Sequence, residues 1–99
     1  HKLQTFQLKG RLYTLTVLQL THINTHLFLD ELKTSIAKAP KLFGKTPIVL
    51  DCGDMMVPFD DLKCIYDICK QEGLIPVALQ GTDNSVISNA QGLGLAQLG

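Results

Sequence analysis

A short apolar run, Ile48-Val49-Leu50, lies near the middle of the chain, with segments of helical periodicity on both sides. Such runs are typical of a strand that is buried on both faces of a parallel sheet. The apolar residues at helical spacing are Leu29, Leu32, Ile36 and Ala39 before the run, and Phe59, Leu62, Ile65, Tyr66 and Cys69 after it. Because strands that alternate with helices require crossover connections, the chain is predicted to form an α/β domain.

The beginning of the chain predicts a β-hairpin. Apolar and polar residues alternate over residues 3–9 and again over residues 12–20, and β-branched and aromatic side chains are frequent in the second segment. Gly10 lies between the two segments and can adopt the positive φ that tight hairpin turns require. Since a hairpin is antiparallel, the predicted sheet is mixed.

Capping residues and proline mark the limits of the first helix. Asn24 or Thr25 is expected to cap its N-terminus, because both side chains can accept a hydrogen bond from a free backbone N–H. Pro40 is expected to end it, since proline lacks the N–H that a helix interior needs. A further turn at residues 41–43 then precedes Gly44, which releases the chain.

The second half of the chain predicts two more helices and two strands. Gly73 is the expected stop of the second helix, and residues 74–80 form a strand in which Pro76 indicates an edge or a strand beginning. A short third helix is expected to end at Gly92, and residues 93–98 form a last short strand. The predicted order is β-β-α-β-α-β-α-(β).

Length and composition fit one domain over residues 1–99. The hydrophobic content of 45% and charged content of 18% exclude a disordered segment, and no apolar run approaches the ~20 residues of a membrane span. The three cysteines, Cys52, Cys64 and Cys69, form no CxxC pair and are expected to be reduced thiols in the cytosol. The chain opens without a methionine, and we expect it to be a fragment of a longer protein.

The net charge is zero but unevenly distributed. Residues 1–50 contain seven lysines and arginines against two carboxylates, whereas residues 51–99 contain seven carboxylates against two lysines. Such a surface can attract a partner of opposite charge, and a solvated mixed surface is the alternative. Zero net charge and few aromatic residues argue against nucleic-acid binding.

Two groups of residues are candidates for metal or catalytic chemistry. His22 and His26 are four residues apart, but they straddle a predicted loop and helix cap and have no further ligand at suitable spacing. The segment Asp51-Cys52-Gly53-Asp54 follows the central strand, where α/β proteins bind ligands, but no base for the Cys52 thiol is evident. No nucleotide-binding, metalloprotease or serine-hydrolase motif occurs. We therefore expect a protein-binding domain without metal, cofactor or enzymatic activity.

Segments spread over nearly the whole chain resemble, in order and spacing, the N-terminal domain family of MinC, the division-site inhibitor of the bacterial Min system. They are Leu8-Lys9-Gly10, Tyr13-Thr14-Leu15-Thr16-Val17, Ile36-Ala37-Lys38-Ala39-Pro40, Pro47-Ile48-Val49-Leu50-Asp51, Gly73-Leu74-Ile75-Pro76-Val77 and Gly92-Leu93. The resemblance implies a fold similar to the STAS domains of anti-anti-sigma factors (SpoIIAA-like).

The resemblance also implies a function and partners. The N-terminal domain of this family binds the tubulin-like protein FtsZ and blocks assembly of the division septum at improper sites. A separate C-terminal β-helical domain, absent from residues 1–99, dimerises and binds the membrane-associated ATPase MinD. The domain itself is therefore expected in the cytoplasm, without direct membrane contact. The FtsZ-binding positions that the resemblance implies are Lys9, Gly10 and Leu42, with Phe43 beside Leu42. Lys38 and Lys41 are added to these positions because helical phase places them on the solvent face near Leu42.

The chain departs from the family pattern near the end of the first helix. Ser35 stands where a lysine is frequent, and Leu42 stands where an aromatic residue is common, with Phe43 directly after it. If the helical phase continues beyond the first helix, Phe43 stays on the core stripe, and Leu42 turns outward beside Lys38, Lys41 and Lys45. The alternative is that Leu42 only caps the core.

Two alternative functions have different requirements. A regulatory STAS domain switched by phosphorylation carries a serine or threonine in the loop before its second helix, and residues 51–58 contain neither. A small thiol enzyme would depend on Cys52, whose ionised sulfur would be the nucleophile.

Overall fold

The computed structural model describes residues 4–99, apart from the side chain of Leu42. Strands and helices alternate along these residues, except that the second helix directly follows the first. They are β1 (Thr16–Gln19), α1 (Thr25–Lys38), α2 (Pro40–Phe43), β2 (Pro47–Asp51), α3 (Phe59–Gln71), β3 (Ile75–Gln80), α4 (Ser85–Leu93) and β4 (Ala96–Leu98). The predicted α/β class is confirmed, whereas the closer likeness to STAS domains stays a prediction.

The strands of the described residues form one parallel sheet in the order β1-β2-β3-β4. Since α1 packs beside α3 and α3 packs beside α4, the helices form one layer. The hydrophobic core lies between this layer and the sheet. Leu50 and Leu79 are neighbours in the β2–β3 register, and both are fully buried together with Leu62 and Ile65 of α3.

The predicted hairpin does not form, and the prediction of a mixed sheet is wrong. Residues 4–15 contain no strand, and residue 3, where the first predicted strand began, lies outside the described residues. Gly10 is not among the glycines with positive φ, so the chain does not make the tight reversal that the hairpin needs. Without a returning strand beside β1, only parallel pairing is present in residues 4–99.

The predicted limits of the first helix are confirmed. The side-chain Oδ1 of Asn24 accepts a hydrogen bond of 3.0 Å from the backbone N–H of Leu27. Regular helix ends at Lys38, and Pro40 is tolerated because it stands in the first turn of α2, where its missing N–H has no helical partner to lose. The predicted further turn at residues 41–43 is part of α2, and Gly44 follows it.

The later elements agree with prediction except at one helix end. Gly73 follows α3 with a φ of 93°, which favours glycine. Pro76 is the second residue of β3, and the β2–β3 register shifts beside it, which fits a strand beginning. Gly92 does not end α4. The helix continues to Leu93, and Gly94, with a φ of 70°, is its left-handed cap.

Candidate functional site

The junction of α1 and α2 forms a corner that exposes lysines. Only Ala39 separates the two helices, and its N–H donates to the carbonyl oxygens of Ser35 and Ile36, each at 3.2 Å. These hydrogen bonds close the last turn of α1 and fix where α2 begins. Lys38 and Lys41 stand on either side of the corner, and both side chains are exposed. We call this surface, Lys38, Lys41 and Lys45, the basic corner.

The positive charge of the basic corner is not neutralised by ion pairs. In residues 4–99 the one ion pair joins Lys63 and Asp67 of α3, whose Nζ and Oδ2 atoms are 3.0 Å apart. Lys38 lies in the last turn of α1, where the partial negative charge of the helix C-terminus is favourable to it. Three lysines without a carboxylate partner make this end of the domain electropositive.

Phe43 attaches the basic corner to the body of the domain. Its side chain is half-buried and packs against the hydrophobic core, as the predicted helical phase required. The side chain of Leu42 lies outside the described part of the structure, so its predicted outward position stays a prediction. Phe43 is thus both a core residue and a border of the exposed surface.

The structure does not bring all of the predicted site residues together. Lys9 and Gly10 lie in residues 4–15, which have no regular structure, and a Cβ added to Gly10 would meet no atom within 4 Å. Such open surroundings mean that Gly10 is not packed against the basic corner. The predicted site is therefore divided in two: a corner fixed by α1 and α2, and a separate basic segment ahead of β1.

A cleft beside the corner was not predicted from the sequence. It lies between β1 and α1, has a volume of about 410 Å³, and shares Phe43 with the corner. Its apolar lining consists of Val17, Leu18, Leu20, Leu27, Phe28, Leu32, Phe43 and Ile48, and its polar lining includes His22, Glu31 and Ser35. Leu27 is 55% exposed. In the sequence, Leu27 does not fall on the helical face that carries Leu29, Leu32 and Ile36. This position indicates that α1 has an apolar side chain on a second face.

The carboxyl end of β2 is a local turn. Oδ1 of Asp51 accepts a hydrogen bond of 2.8 Å from the N–H of Gly53, whose φ is 61°. Cys52 is buried, and burial, followed by the nearby Asp51 carboxylate, raises the pKa of its thiol. This environment disfavours the thiolate that a nucleophile needs. Within the range 4–99, no His, Cys, Asp and Glu side chains form a group of three suited to a metal ion.

The buried thiols predict a simple pattern of reactivity. Burial raises the pKa of Cys69 from its ordinary 9.0 to about 12, whereas Cys64 is exposed. At pH 8 we expect Ellman's reagent to modify Cys64 rapidly in the folded protein, and all three thiols only after denaturation. Because the unfolded thiol ionises at a lower pH than the folded one, the free energy of unfolding should fall as the pH rises above 9. Rapid reaction of all three thiols in the folded protein would contradict the burial of Cys52 and Cys69.

The fold and the surface together define a class: a small parallel α/β domain with helices packed in one layer and an uncompensated basic corner. The chain belongs to the family described as "Septum formation inhibitor MinC, N-terminal domain", which matches residues 6–76. This match confirms the resemblance found in the sequence. It places the chain among proteins of the Min system of cell division, which are division regulators.

Relatives named "Probable septum site-determining protein MinC" agree with this membership. The relative from Pseudomonas savastanoi pv. phaseolicola is 35% identical over 78 residues, which cover 76% of this chain and 31% of the relative. The relative from Pseudomonas aeruginosa strain PAO1 is 30% identical over 95 residues, which cover 94% of this chain and 36% of the relative. The chain thus spans about a third of the length of these curated relatives. Over residues 4–99, none of the helices has the length and hydropathy needed to span a bilayer.

Proposed function

We propose that this domain inhibits septum formation by binding FtsZ through the basic corner, with Lys9 and Gly10 as a second contact. The observation that carries this proposal is the group of three exposed lysines without carboxylate partners at the α1–α2 junction. Membership of a septum-inhibitor family supports the role, and the family resemblance supports FtsZ as the partner. Leu42 and Phe43 supply the apolar contact at the centre of the basic surface.

The charges determine which properties of the complex respond to mutation. Exposed lysines around an apolar centre steer an acidic partner and increase the rate of association more than they extend the lifetime of the complex. This contribution should weaken with salt, because exposed charges are screened over about 8 Å at physiological ionic strength. The apolar contribution of Leu42 should be nearly independent of salt.

Charge reversal in the corner tests the proposal. We expect Lys41→Glu to weaken the inhibition of FtsZ assembly about 10-fold at low salt, since steering by complementary charge changes association rates by factors of this size or more. The measurement is sedimentation of FtsZ polymers with increasing amounts of the domain, at low and high ionic strength. Leu42→Ala should weaken inhibition by a similar factor at both ionic strengths.

Lys63→Glu is the matched control, because it makes the same change of net charge on α3, away from the corner. The Lys63 side chain is 53% exposed, and its ion pair with Asp67 contributes little to stability. We expect Lys63→Glu to retain full inhibition, and both lysine variants to keep the circular dichroism of the parent. Equal losses for Lys41→Glu and Lys63→Glu would reject the basic corner as the binding site.

The whole protein is proposed to act through a second domain. By family resemblance, a C-terminal β-helical domain dimerises and binds MinD, which brings the inhibitory domain from the cytoplasm to the membrane. Residues 1–99 alone should then stay in the supernatant when MinD-coated vesicles are pelleted in the absence of FtsZ. Sedimentation of the fragment with these vesicles would contradict this division of roles.

A further inference from the structure

The parallel topology brings the ends of two helices to the same edge of the sheet. Because α1 and α3 each lie on a crossover between parallel strands, both helices end at the edge where β2 and β3 begin. The basic corner lies at this edge, and so does the exposed Lys70 in the last turn of α3. The carboxylates Asp51, Asp54 and Asp83 lie at the opposite edge, where β2 and β3 end. The basic surface therefore extends beyond the α1–α2 junction to the end of α3.

Lys70 is a cation without a carboxylate partner. The one ion pair in residues 4–99 joins Lys63 and Asp67, and the nearby Glu72 forms none with Lys70. The Nζ atom of Lys70 lies 5.1 Å from the centre of the Tyr66 ring, a cation–π contact. This contact holds the ammonium group over an aromatic side chain and leaves its charge available to an anionic ligand.

A groove lies beside this cation, between the end of α3 and the beginning of β3. It has a volume of about 430 Å³. Its lining, which we call the α3–β3 groove, consists of Tyr66, Lys70, Gly73, Leu74, Ile75 and Pro76. Ile75 is 47% exposed, whereas Leu74 is buried. The groove thus combines apolar walls with one positive charge.

The turn from α3 to β3 gives the groove a fixed shape. The N–H groups of residues 72, 73 and 74 donate to carbonyl oxygens at the end of α3, with N···O distances between 2.9 and 3.1 Å. These hydrogen bonds satisfy carbonyl groups that a helix end otherwise leaves free. A ligand therefore meets walls that need little ordering when it binds, which favours affinity.

The α3–β3 groove is continuous with the basic corner. The N–H of Ile75 donates to the carbonyl oxygen of Thr46 at 2.9 Å, and Thr46 directly follows Lys45. Lys45 is exposed and belongs to the basic corner. The strand beginning that forms one wall of the groove is therefore bonded to the residue next to a corner lysine.

Charge distinguishes this groove from the cleft between β1 and α1. The lining of the cleft includes the carboxylate of Glu31, whereas the lining of the groove includes Lys70 and no carboxylate. An acidic segment is therefore favoured at the groove and disfavoured at the cleft. The apolar walls suit one apolar side chain within such a segment, since the buried centre of an interface is apolar and its rim polar.

We propose that the α3–β3 groove extends the binding surface of the basic corner and takes an apolar side chain from an acidic segment of the partner. This inference rests on the proposed function, because corner and groove then meet the same partner. Lys45 and Lys70 pair with carboxylates beside the inserted side chain, and Tyr66 and Ile75 contact the side chain itself. The apolar part of this contact should persist at high salt, whereas the ion pairs should weaken.

Two capped peptides test the groove without FtsZ. Glu-Glu-Leu-Glu-Glu carries the apolar side chain, and Glu-Glu-Ser-Glu-Glu is the control of equal charge. In titrations of the ¹⁵N-enriched domain, we expect the leucine peptide to shift the amide signals of Gly73, Leu74 and Ile75. It should bind at least about 10-fold more tightly than the serine peptide. Equal binding of the two peptides, or no shift at the groove at about 10 mM leucine peptide, would overturn the proposal.

Charge reversal on α3 tests the groove against FtsZ. Lys70→Glu should weaken the inhibition of FtsZ assembly about 10-fold at low salt, since it opposes an acidic segment. Lys63→Glu is the matched control, because Lys63 is an exposed lysine two turns earlier on the same side of α3. It should retain full inhibition, and both variants should keep the circular dichroism of the parent.

A change in the groove wall tests the apolar contact. Ile75→Thr should weaken inhibition about 5-fold at both low and high salt, because it removes apolar area and keeps a β-branched side chain in β3. Val77→Thr is the control on the same strand, since Val77 is 36% exposed and does not line the groove. If Lys41→Glu weakens inhibition while Lys70→Glu and Ile75→Thr behave like their controls, the groove is rejected and the basic corner stands. If Lys41→Glu has no effect, the corner is rejected instead, and the peptide titration decides the groove by itself.

Discussion

Ile65→Ala is expected to lower the free energy of unfolding by about 2–5 kcal/mol, the range for removing a large aliphatic side chain from a packed core. Ile65 is completely buried on α3 and contributes to the cluster that joins the helix layer to Leu50 and Leu79 of the sheet. Removing the side-chain atoms loses the free energy gained by transferring them from water to the core. Because the packed core has no water to fill the space, the truncation also leaves a cavity, which adds to the cost. Urea unfolding followed by circular dichroism at 222 nm measures the change.

Ile87→Ala is the matched control for this prediction. It makes the same chemical change on a helix, α4, at a side chain that is 47% exposed. The gain in helix propensity from isoleucine to alanine is common to both variants, so their difference reports burial. We expect Ile87→Ala to cost about 1 kcal/mol or less, since half of its side chain is already in water. Equal costs for the two variants would show that α3 does not pack as described.

Gly81→Ala is expected to destabilise the domain by about 1–3 kcal/mol, the usual cost of forcing atoms into a filled interior. A Cβ at this position would lie 2.8 Å from Cγ2 of Val86 and 3.1 Å from the carbonyl oxygen of Gly53. Val86 is buried, and the Gly53 oxygen already accepts the N–H of Thr82 at 2.9 Å, so neither neighbour can move freely. The loop after β2, which contains Gly53, and the loop after β3, which contains Gly81, can therefore approach closely only because residue 81 has no side chain.

Gly10→Ala distinguishes a steric effect from a general effect of removing glycine. A Cβ at Gly10 would meet nothing within 4 Å, and this glycine does not have the positive φ that would strain an alanine. We expect no loss of stability and a gain of at most about 1 kcal/mol, because alanine restricts the unfolded chain. Thermal melting of both variants provides the comparison. A Gly81→Ala protein as stable as the Gly10→Ala protein would contradict the packing of the loop after β3.

The parts of the fold that the sequence predicted well are those determined by neighbouring residues. The helical spacing of Leu29, Leu32 and Ile36 defines the buried side of α1 without reference to the rest of the chain, and Leu32 is buried. The prediction of a hairpin was wrong because the alternation of apolar and polar residues shows that a segment suits a sheet. The alternation does not show which sheet edge the segment pairs with. The predicted end of α4 at Gly92 was wrong because a glycine within a helix lowers stability by only about 1 kcal/mol, which packing can offset.

The candidate site was predictable to a smaller extent. Helical phase correctly placed Phe43 against the core, and the exposure of Lys38 and Lys41 followed from the same phase. Gly10 has neither a positive φ nor a neighbour within 4 Å of an added Cβ, and a glycine in isolation leaves its backbone conformation open. The cleft beside β1 is formed by a helix and strands distant in sequence, so no single segment contains its pattern.

The agreement between strand order and chain order has a consequence for synthesis on the ribosome. Because β1 pairs with β2, β2 with β3 and β3 with β4, no strand has to wait for a later one to be inserted between it and its predecessor. The sheet can grow at one side as each strand and helix leaves the exit tunnel, in the direction of translation. Residues 4–15 and the basic corner precede β2, β3 and β4 along the chain. We therefore expect the final environment of the basic corner to be set by α1, α2 and β2, before the last strand of the sheet has been translated.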